Sequence, residues 1–348
     1  IAEVFKTNGY RTAAIGKWHL GSRDEQHPNN RGFDLFYGMK AGGRDYFYNE
    51  KKSDRPGDER NLLLNDRQVK FEKYLTDAFS EKAVEFINES SQPFMMYLAY
   101  NAVHTPMQAT DEDMAKFEGH PRQKLAAMTY ALDRGVGTVI RGLKDSGKFD
   151  NTLIFFLSDN GGATTNQSSN YPLKGFKGNK FEGGHRVPYF VVWKNGIPAG
   201  KPYDGLVSSL DIFATAIDAA SISKTRNRLD GVSLLPYLKG KKGEPHKVLY
   251  WRKMDTRAIR SGDYKLIITH GVDSVLYNIR RDPEEMNNLI NKEPDLYRKL
   301  AKKLAKWEKN ECIEPSWLEE GWRKITNRYH QQLMHNEIKT AQDLYKKK

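Results

Sequence analysis

Short apolar runs alternate with amphipathic stretches through the first 240 residues. Near-continuous apolar runs predict buried strands over residues 94–100 and 152–157, and two further stretches, 10–15 and 187–193, are also predicted to be strands. Apolar residues at three- and four-residue steps predict a helix capped by Thr76, a helix over 123–145, and a short helix capped by Asp211 that extends through Ala220. Strands alternating with helices favour an α/β domain whose mostly parallel sheet is sandwiched by helices.

The pattern changes after about residue 243. Short strand-like pieces separated by turn residues predict a small antiparallel sheet, with strands at 248–251, 258–261, 264–269 and 274–278. The remainder, from residue 296, is helical and charged and ends in three lysines, Lys346 to Lys348. We therefore expect an α/β domain over 1–243 and a smaller α+β subdomain over 244–348.

Composition narrows the class of protein. The 348 residues carry 56 Lys and Arg against 44 Asp and Glu, a net charge of +12, which indicates an acidic partner or a polyanionic substrate. A single cysteine, Cys312, excludes an intramolecular disulfide and a cysteine-based zinc site. The longest apolar runs are far shorter than the roughly 20 residues that a membrane helix needs.

The chain begins with a helix-like pattern. Residue 1 is isoleucine, and Ile1, Val4 and Phe5 lie at helical spacing before a stop at Asn8 and Gly9. We therefore expect a chain that starts partway through a helix, either processed or a fragment.

Polar side chains follow each predicted strand of the α/β domain. Lys17 and His19 follow the first strand, His104 follows the second, and Asp159 and Asn160 follow the third. Because ligands bind beyond the carboxyl ends of strands in open α/β sheets, we expect these groups to converge. A glycine-rich loop over 174–186 adds Lys177 to this set.

These residue types suit one kind of chemistry, although each has a plainer interpretation. Oxygen ligands suit Ca²⁺ or Mg²⁺, lysines attract an oxyanion, and imidazoles transfer protons, which together indicate sulfuryl or phosphoryl transfer. Equally, Asp159 to Gly162 is a turn signal, His104 could be structural, and the lysines near Lys177 could form a solvated face.

Four ordered motifs closely resemble the formylglycine-dependent type I sulfatases of the alkaline-phosphatase superfamily. The motifs lie at 9–21, 104–106, 152–162 and 174–188, with later landmarks at 229–235 and 277–289. The resemblance covers residues 1 to about 289. It implies that Lys17 binds sulfate, His19 acts as a base, His104 protonates the leaving alcohol, and Lys177 bridges sulfate and the leaving oxygen.

The resemblance also implies one calcium ion, with Asp159 and Asn160 as two of its ligands. In the family the remaining ligands, the first strand of the sheet and the nucleophile all precede the position matched by Ile1. That nucleophile lies in a Cys/Ser-x-Pro/Ala-x-Arg motif whose first residue becomes formylglycine, and Cys312 lies in no such motif. We therefore expect an N-terminally incomplete chain that does not hydrolyse sulfate esters, binds calcium weakly and has low stability.

The expected function of the complete protein is removal of sulfate from a sulfated carbohydrate. Candidate sugar contacts are Arg44, Asp45, His185 and Arg252, with a turn role as the alternative for Asp45. By resemblance we expect a periplasmic or extracellular location, although no signal peptide is visible, and we expect neither nucleic-acid nor membrane binding.

Three alternatives stay open. The first is a phosphonate or phosphate ester hydrolase of the same superfamily. The second is a non-catalytic polyanion-binding protein; nucleic acid is disfavoured as its ligand because no nucleic-acid module appears and the charges are dispersed. The third, a pseudoenzyme, is disfavoured because the downstream motif positions match.

Overall fold

The computed structural model describes residues 1–166, 168–223, 228–313 and 319–346. The predicted lysine-rich tail lies largely outside these ranges. The chain divides into two compact units. The first comprises Ile1–Ile154, Val192–Lys201 and Ser209–Lys239, and the second comprises Phe155–Val191, Pro202–Ser208 and Gly240–Lys348. The domain boundary expected after residue 243 stays a prediction.

Helices and strands follow one another in the order that the sequence pattern indicates. The α-helices are α1 Ala2–Thr7, α2 Leu75–Glu89, α3 Asp111–Ala115, α4 Gln123–Asp145, α5 Glu182–His185, α6 Asp211–Ala219, α7 Leu235–Leu238, α8 Pro294–Glu311, α9 Glu320–Met334 and α10 Asp343–Lys346. The strands are β1 Arg11–Lys17, β2 Leu35–Met39, β3 Leu63–Leu64, β4 Arg67–Gln68, β5 Phe94–Ala99, β6 Ile154–Leu157, β7 Tyr189–Val192, β8 Val248–Lys253, β9 Thr256–Ser261, β10 Tyr264–Thr269 and β11 Asp273–Asn278.

A five-stranded sheet in the order β4-β3-β2-β1-β5 forms the centre of the first unit. β1 pairs in parallel with both β2 and β5, while β3 pairs antiparallel with its two neighbours. Helices α2 and α4 cover one face, where Phe79 and Phe86 join Ala13 and Ile15 in the core. The α/β class is confirmed, and β1 lies between β2 and β5, where its alanine-rich apolar residues are buried.

Three local expectations are wrong. β5 and β6 are partly exposed: Tyr97 is 41% exposed and Phe156 is 39% exposed. β6 pairs with β7 in a separate two-stranded sheet. An apolar run makes burial of a strand on both faces favourable. In the described part of the chain, no packed element fully covers both faces of β5 or β6. Helix α2 begins at Leu75 rather than being capped by Thr76, because the Leu75 N–H is satisfied by the carbonyl oxygen of Tyr46 at 2.9 Å.

The predicted antiparallel sheet of the second unit is confirmed, with strand order β11-β10-β9-β8. Alternate residues face opposite sides. Ile259 and Leu266 pack with Leu300 and Leu304 of α8. On the opposite face, Ala258, Ile267 and Tyr277 pack with Phe176, Phe181 and Leu333.

A buried ionic network ties the first residue of α5, Glu182, to this sheet. The Nζ atom of Lys265 lies 2.8 Å from Glu182 Oε1 and 3.0 Å from Glu285 Oε1. Burial raises the pKa of Glu285 to about 7, against the opposing effect of Lys265. Because a buried charge requires a partner, these three residues form one interdependent structural unit.

Candidate active site

Lys17 lies at the carboxyl end of the central strand because two glycines allow the strands to approach closely. A Cβ at Gly16 would lie 2.0 Å from the carbonyl oxygen of Ala99, and one at Gly38 would lie 1.9 Å from that of Gly16. Gly16 also has a φ of +108°, which other residues rarely adopt. The close spacing of the strands beside Lys17 therefore requires glycine at positions 16 and 38.

The imidazole rings of His19 and His104 lie against two consecutive glycines, Gly42 and Gly43. A Cβ at Gly42 would lie 2.6 Å from Cε1 of His19, and one at Gly43 would lie 3.3 Å from Nδ1 of His104. The structure thus brings together two histidines that are 85 positions apart in the chain. The sequence signal, two consecutive glycines in a polar loop, could have indicated a close approach of this kind.

Hydrogen bonds hold the backbone and ring of His104. Its Nδ1–H donates to the carbonyl oxygen of Thr105 at 2.8 Å, which fixes the tautomer because a carbonyl can only accept. Its backbone N–H donates to the carbonyl oxygen of Asn101 at 2.8 Å. The hydroxyl of the buried Tyr46 lies 2.9 Å from the carbonyl oxygen of His104. A proton delivered by this imidazole would therefore be carried on Nε2.

In the second unit, the turn that carries Asp159 and Asn160 is bonded to the loop that carries Lys177. The backbone N–H of Lys177 donates to the carbonyl oxygen of Gly162 at 3.0 Å. A Cβ at Gly161 would lie 1.8 Å from the carbonyl oxygen of Gly183. Close glycine contacts therefore hold the predicted oxygen ligands beside the loop of the candidate lysine.

The donor chemistry of Asp159 and Asn160 fits a hard cation. The Asn160 side-chain amide donates to the carbonyl oxygen of Gly161 at 3.0 Å, which leaves its Oδ1 as an acceptor, and the Asp159 carboxylate is exposed. Calcium takes six to eight oxygens, so these two supply only part of a shell. Within the described ranges, no group of three His, Cys, Asp or Glu side chains is placed to hold a metal.

Two of the predicted sugar contacts, Arg44 and Asp45, are buried and saturated with hydrogen bonds. Arg44 Nη2 lies 2.7 Å and 2.8 Å from the two carboxylate oxygens of Asp54, and both side chains are fully buried. Asp45 accepts from Ser53 at 2.6 Å and from Gln108 at 2.8 Å. Although burial raises the pKa of Asp45, these hydrogen bonds outweigh it and lower the pKa overall. The geometry favours a structural role for both residues.

His185 and Arg252, the other predicted contacts, lie in the second unit. The His185 Nε2–H donates to the carbonyl oxygen of Lys180 at 3.1 Å, and its ring lies 4.5 Å from that of Trp251. Burial, followed by the charge of Lys265, lowers the pKa of His185 to about 3, so this ring is neutral at pH 7. Arg252 pairs with Glu308 of α8 at 3.4 Å.

Comparison with known proteins establishes the family. A family profile described as Sulfatase matches residues 1–222, and one described as N-sulphoglucosamine sulphohydrolase, C-terminal, matches residues 177–310. Because the first match covers more than half of the chain, the chain belongs to the sulfatase family.

Similar proteins come from bacteria and animals. The chain is 37% identical over 284 residues to "Uncharacterized sulfatase YdeN" of Escherichia coli (strain K12), covering 72% of this chain and 49% of the relative. It is 30% identical over 280 residues to N-acetylgalactosamine-6-sulfatase of Canis lupus familiaris, covering 76% of this chain and 53% of the relative. The chain therefore spans about half the length of these curated relatives.

Among solved structures, one described as "Crystal structure of Ps i-CgsB in complex with k-i-k-neocarrahexaose" matches with a TM-score of 0.84 and 35% identity. The match covers 94% of this chain and 78% of that chain. None of the helices in the described part of the chain is long and apolar enough to cross a membrane.

Proposed function

We propose that the protein carrying this chain hydrolyses sulfate esters of a carbohydrate. The observation that carries the proposal is the placement of His19 and His104 against Gly42 and Gly43, at the end of the sheet where Lys17 closes the central strand. This arrangement gives a family member the proton-transfer groups and the cation that ester cleavage needs.

Each residue has a defined task in this proposal. Lys17 and Lys177 stabilise the negative charge on the sulfuryl oxygens as the ester bond breaks. His104, as the imidazolium with its Nδ1–H held by Thr105, donates the Nε2 proton to the leaving alcohol oxygen and is left as the neutral Nδ1–H tautomer. His19 acts as the base that restores the site after the alcohol has left.

Two groups that the family uses are assigned only by their chemistry. Asp159 and Asn160 would help to hold calcium, which when bound would supply Lewis-acid polarisation of the sulfuryl oxygens. Formylglycine supplies the nucleophile, and no motif for its formation occurs among the 348 residues. The chain as given is therefore proposed to bind substrate without turning it over.

A sulfated carbohydrate is the proposed substrate class. Similar proteins support it, because one is an N-acetylgalactosamine-6-sulfatase and another has been solved in complex with k-i-k-neocarrahexaose. The net charge of +12 agrees with a polyanionic substrate. We propose a periplasmic or extracellular location, where such polysaccharides are met.

The test compares sulfate release by the protein as its organism makes it with release by two histidine variants. Removal of a general acid costs about 10²- to 10⁴-fold in rate, so His104→Ala should lose at least 100-fold in kcat on a sulfated disaccharide. His120→Ala, which changes an exposed histidine, is the matched control and should retain the parent rate. Equal rates for both variants would overturn the role of His104, and absence of sulfate release by the parent protein would overturn the proposed function.

A further inference from the structure

Lys180 and Lys253 lie beside Lys177, yet the proposed mechanism gives them no task. Lys253 ends strand β8, and its Nζ donates to the carbonyl oxygen of Gly178 at 3.4 Å. Gly178 directly follows Lys177 and precedes Lys180 by two positions, and a Cβ there would lie 3.1 Å from Lys253 Nζ. Two lysines of one short loop and a third from the sheet therefore gather in one place.

Other buried lysines of the second unit have acceptors. Lys265 lies between the carboxylates of Glu182 and Glu285, at 2.8 Å and 3.0 Å. Lys174 donates to the backbone carbonyl of Glu285 at 3.0 Å and to Asn336 Oδ1 at 2.5 Å. Both of these buried lysines have oxygen acceptors within the unit. This is expected, because burying an ammonium group without an acceptor is costly.

In the described part of the chain, Lys180 and Lys253 differ from these lysines because no carboxylate offsets their charge, and Lys253 has only the carbonyl oxygen of Gly178 at 3.4 Å as an acceptor. Over the ranges that the structure describes, no carboxylate forms an ion pair with either residue or raises its pKa. Burial, followed by the charges of Lys253 and Lys265, lowers the pKa of Lys180 to about 8. Burial, followed by the charge of Lys177, lowers the pKa of Lys253. The cluster thus concentrates positive charge in a partly dehydrated place, which a bound anion would relieve.

A buried histidine lies within the field of the same two ammonium groups. His330 of α9 is fully buried, and its Nδ1–H donates to the carbonyl oxygen of Thr326 at 2.8 Å. In the described part of the chain its Nε2 has no hydrogen-bond partner. The charges of Lys180 and Lys253 help to keep this ring neutral. The neighbourhood therefore offers an unused acceptor in addition to its unmatched cations.

An aromatic face completes this neighbourhood. Trp251 precedes Lys253 by two positions in β8, so both side chains point to the same face of the sheet. The Trp251 ring lies 4.5 Å from that of His185, whose Nε2–H bonds the carbonyl oxygen of Lys180. Sugars bind where an aromatic ring and polar groups lie side by side, and ammonium groups add selectivity for an acidic sugar.

We propose that Lys180 and Lys253 bind a second oxyanion of the carbohydrate, a sulfate ester or a carboxylate, next to the sulfate that Lys177 holds. The proposal rests on the proposed function, because it assumes that Lys177 contacts the ester that is cleaved. It narrows the substrate class to carbohydrates that carry two neighbouring anionic groups, and it makes Lys180 and Lys253 residues that determine specificity.

The test measures binding to the full chain by isothermal titration calorimetry with three probes. They are N-acetylgalactosamine 6-sulfate, N-acetylgalactosamine 4,6-disulfate, and the chondroitin 6-sulfate disaccharide, which carries one sulfate and one carboxylate. A charge-assisted contact corresponds to about a tenfold change in affinity. We expect one of the two dianionic probes to bind about tenfold more tightly than the monosulfate, and the preferred one identifies the second anion.

Variants separate this subsite from the ester site. Lys180→Met and Lys253→Met should each reduce the preference for the dianionic probe to within twofold, whereas Lys180→Arg should retain it. Lys177→Met should weaken all three probes alike, and Lys292→Met, at an exposed lysine of the same unit, should weaken none. Two Met substitutions at different places keep the test valid if one variant fails to fold.

The outcomes are distinct. Equal affinity of the parent chain for all three probes, with a loss on Lys177→Met, would overturn the second subsite and leave the proposed function standing. Absence of binding by every probe would count against the proposed function and the subsite together. A preference that survives both Lys180→Met and Lys253→Met would overturn the assignment of these residues.

Discussion

The ring of His19 occupies the space in which a side chain at Gly42 would have to begin. A Cβ at Gly42 would lie 2.6 Å from Cε1 and 2.7 Å from Nε2 of His19, closer than van der Waals contact allows. Gly42 lacks a left-handed φ, so this requirement concerns space and not backbone conformation. The glycine is therefore a positioning residue for the imidazole.

In the protein as its organism makes it, Gly42→Ala should lower turnover more than stability. Displacing His19 by about 1 Å is expected to reduce kcat by 10- to 100-fold, because catalytic geometry is sensitive on that scale. Gly43→Ala should cost less, because its Cβ would lie 3.3 Å from the His104 ring. Steady-state kinetics and thermal unfolding of the same samples measure the loss of turnover and the loss of stability separately. Gly321→Ala, whose Cβ would meet nothing within 4 Å, is the control; full activity of Gly42→Ala would contradict the positioning role.

Lys265→Met should destabilise the second unit strongly. The substitution would remove the cation that lies between the buried carboxylates of Glu182 and Glu285, leaving Glu182 only its longer contacts with Arg186 and Arg260 at 3.8 Å. Breaking a buried ion pair on one side costs about 3–5 kcal/mol. Lys292→Met, at an exposed position, should change the free energy of unfolding by less than about 0.5 kcal/mol. Urea unfolding monitored by fluorescence measures both, and a loss below about 1 kcal/mol for Lys265→Met would show that the network contributes little.

Stability should fall on acidification through the range in which buried histidine takes up a proton. Burial lowers the pKa of His330 to about 4. The hydrogen bond to Thr326 acts in the opposite direction, and the charges of Lys180 and Lys253 add to the lowering. Because the folded pKa lies below the unfolded value of about 6.5, this contribution is complete above pH 6.5 and is lost as pH falls toward 4. The full effect is about 3 kcal/mol.

The matched experiment follows the free energy of unfolding from pH 8 to pH 4 in the parent and in His330→Gln. The variant should lose part of the pH dependence, while His120→Gln, at an exposed histidine, should retain all of it. Identical slopes for the parent and His330→Gln would show that this buried imidazole does not govern the acid response.

Calcium should bind the chain as given only weakly. Asp159 and Asn160 supply two oxygens of the six to eight that calcium takes, so we expect a Kd no tighter than about 10⁻⁴ M by calorimetry. Asp159→Ala should weaken binding further, and Asp204→Ala, at an exposed position, should leave it unchanged. Submicromolar affinity would mean that the described residues provide more ligands than this pair.

The sequence predicted the elements and motifs better than the partners of individual side chains. β1, α4 and the antiparallel sheet follow from apolar periodicity, since that pattern directly reports burial. The pairing of Arg44 with Asp54 could not be read off, because many carboxylates lie near that arginine in sequence and only the folded loop selects one.

Contacts between distant segments were also beyond the pattern. Lys253 and Gly178 are 75 positions apart, and their hydrogen bond depends on how β8 lies against the glycine-rich loop. The partial exposure of β6 also depends on contacts with distant segments. An apolar run indicates that a strand can be buried, but it does not indicate which elements pack against the strand. Phe190 of its partner strand is 58% exposed for the same reason.

The most direct test of the central claim is a substrate comparison by the protein as its organism makes it. The ratio of kcat/KM for an aryl sulfate to kcat/KM for the matching aryl phosphonate is measured at pH 7, with sulfate release quantified by ion chromatography. We predict that the sulfate ester is preferred by at least 100-fold, and that Lys177→Met abolishes its turnover. Preference for the phosphonate would contradict the proposal that this protein hydrolyses sulfate esters, and sulfate turnover that survives Lys177→Met would contradict the role given to Lys177.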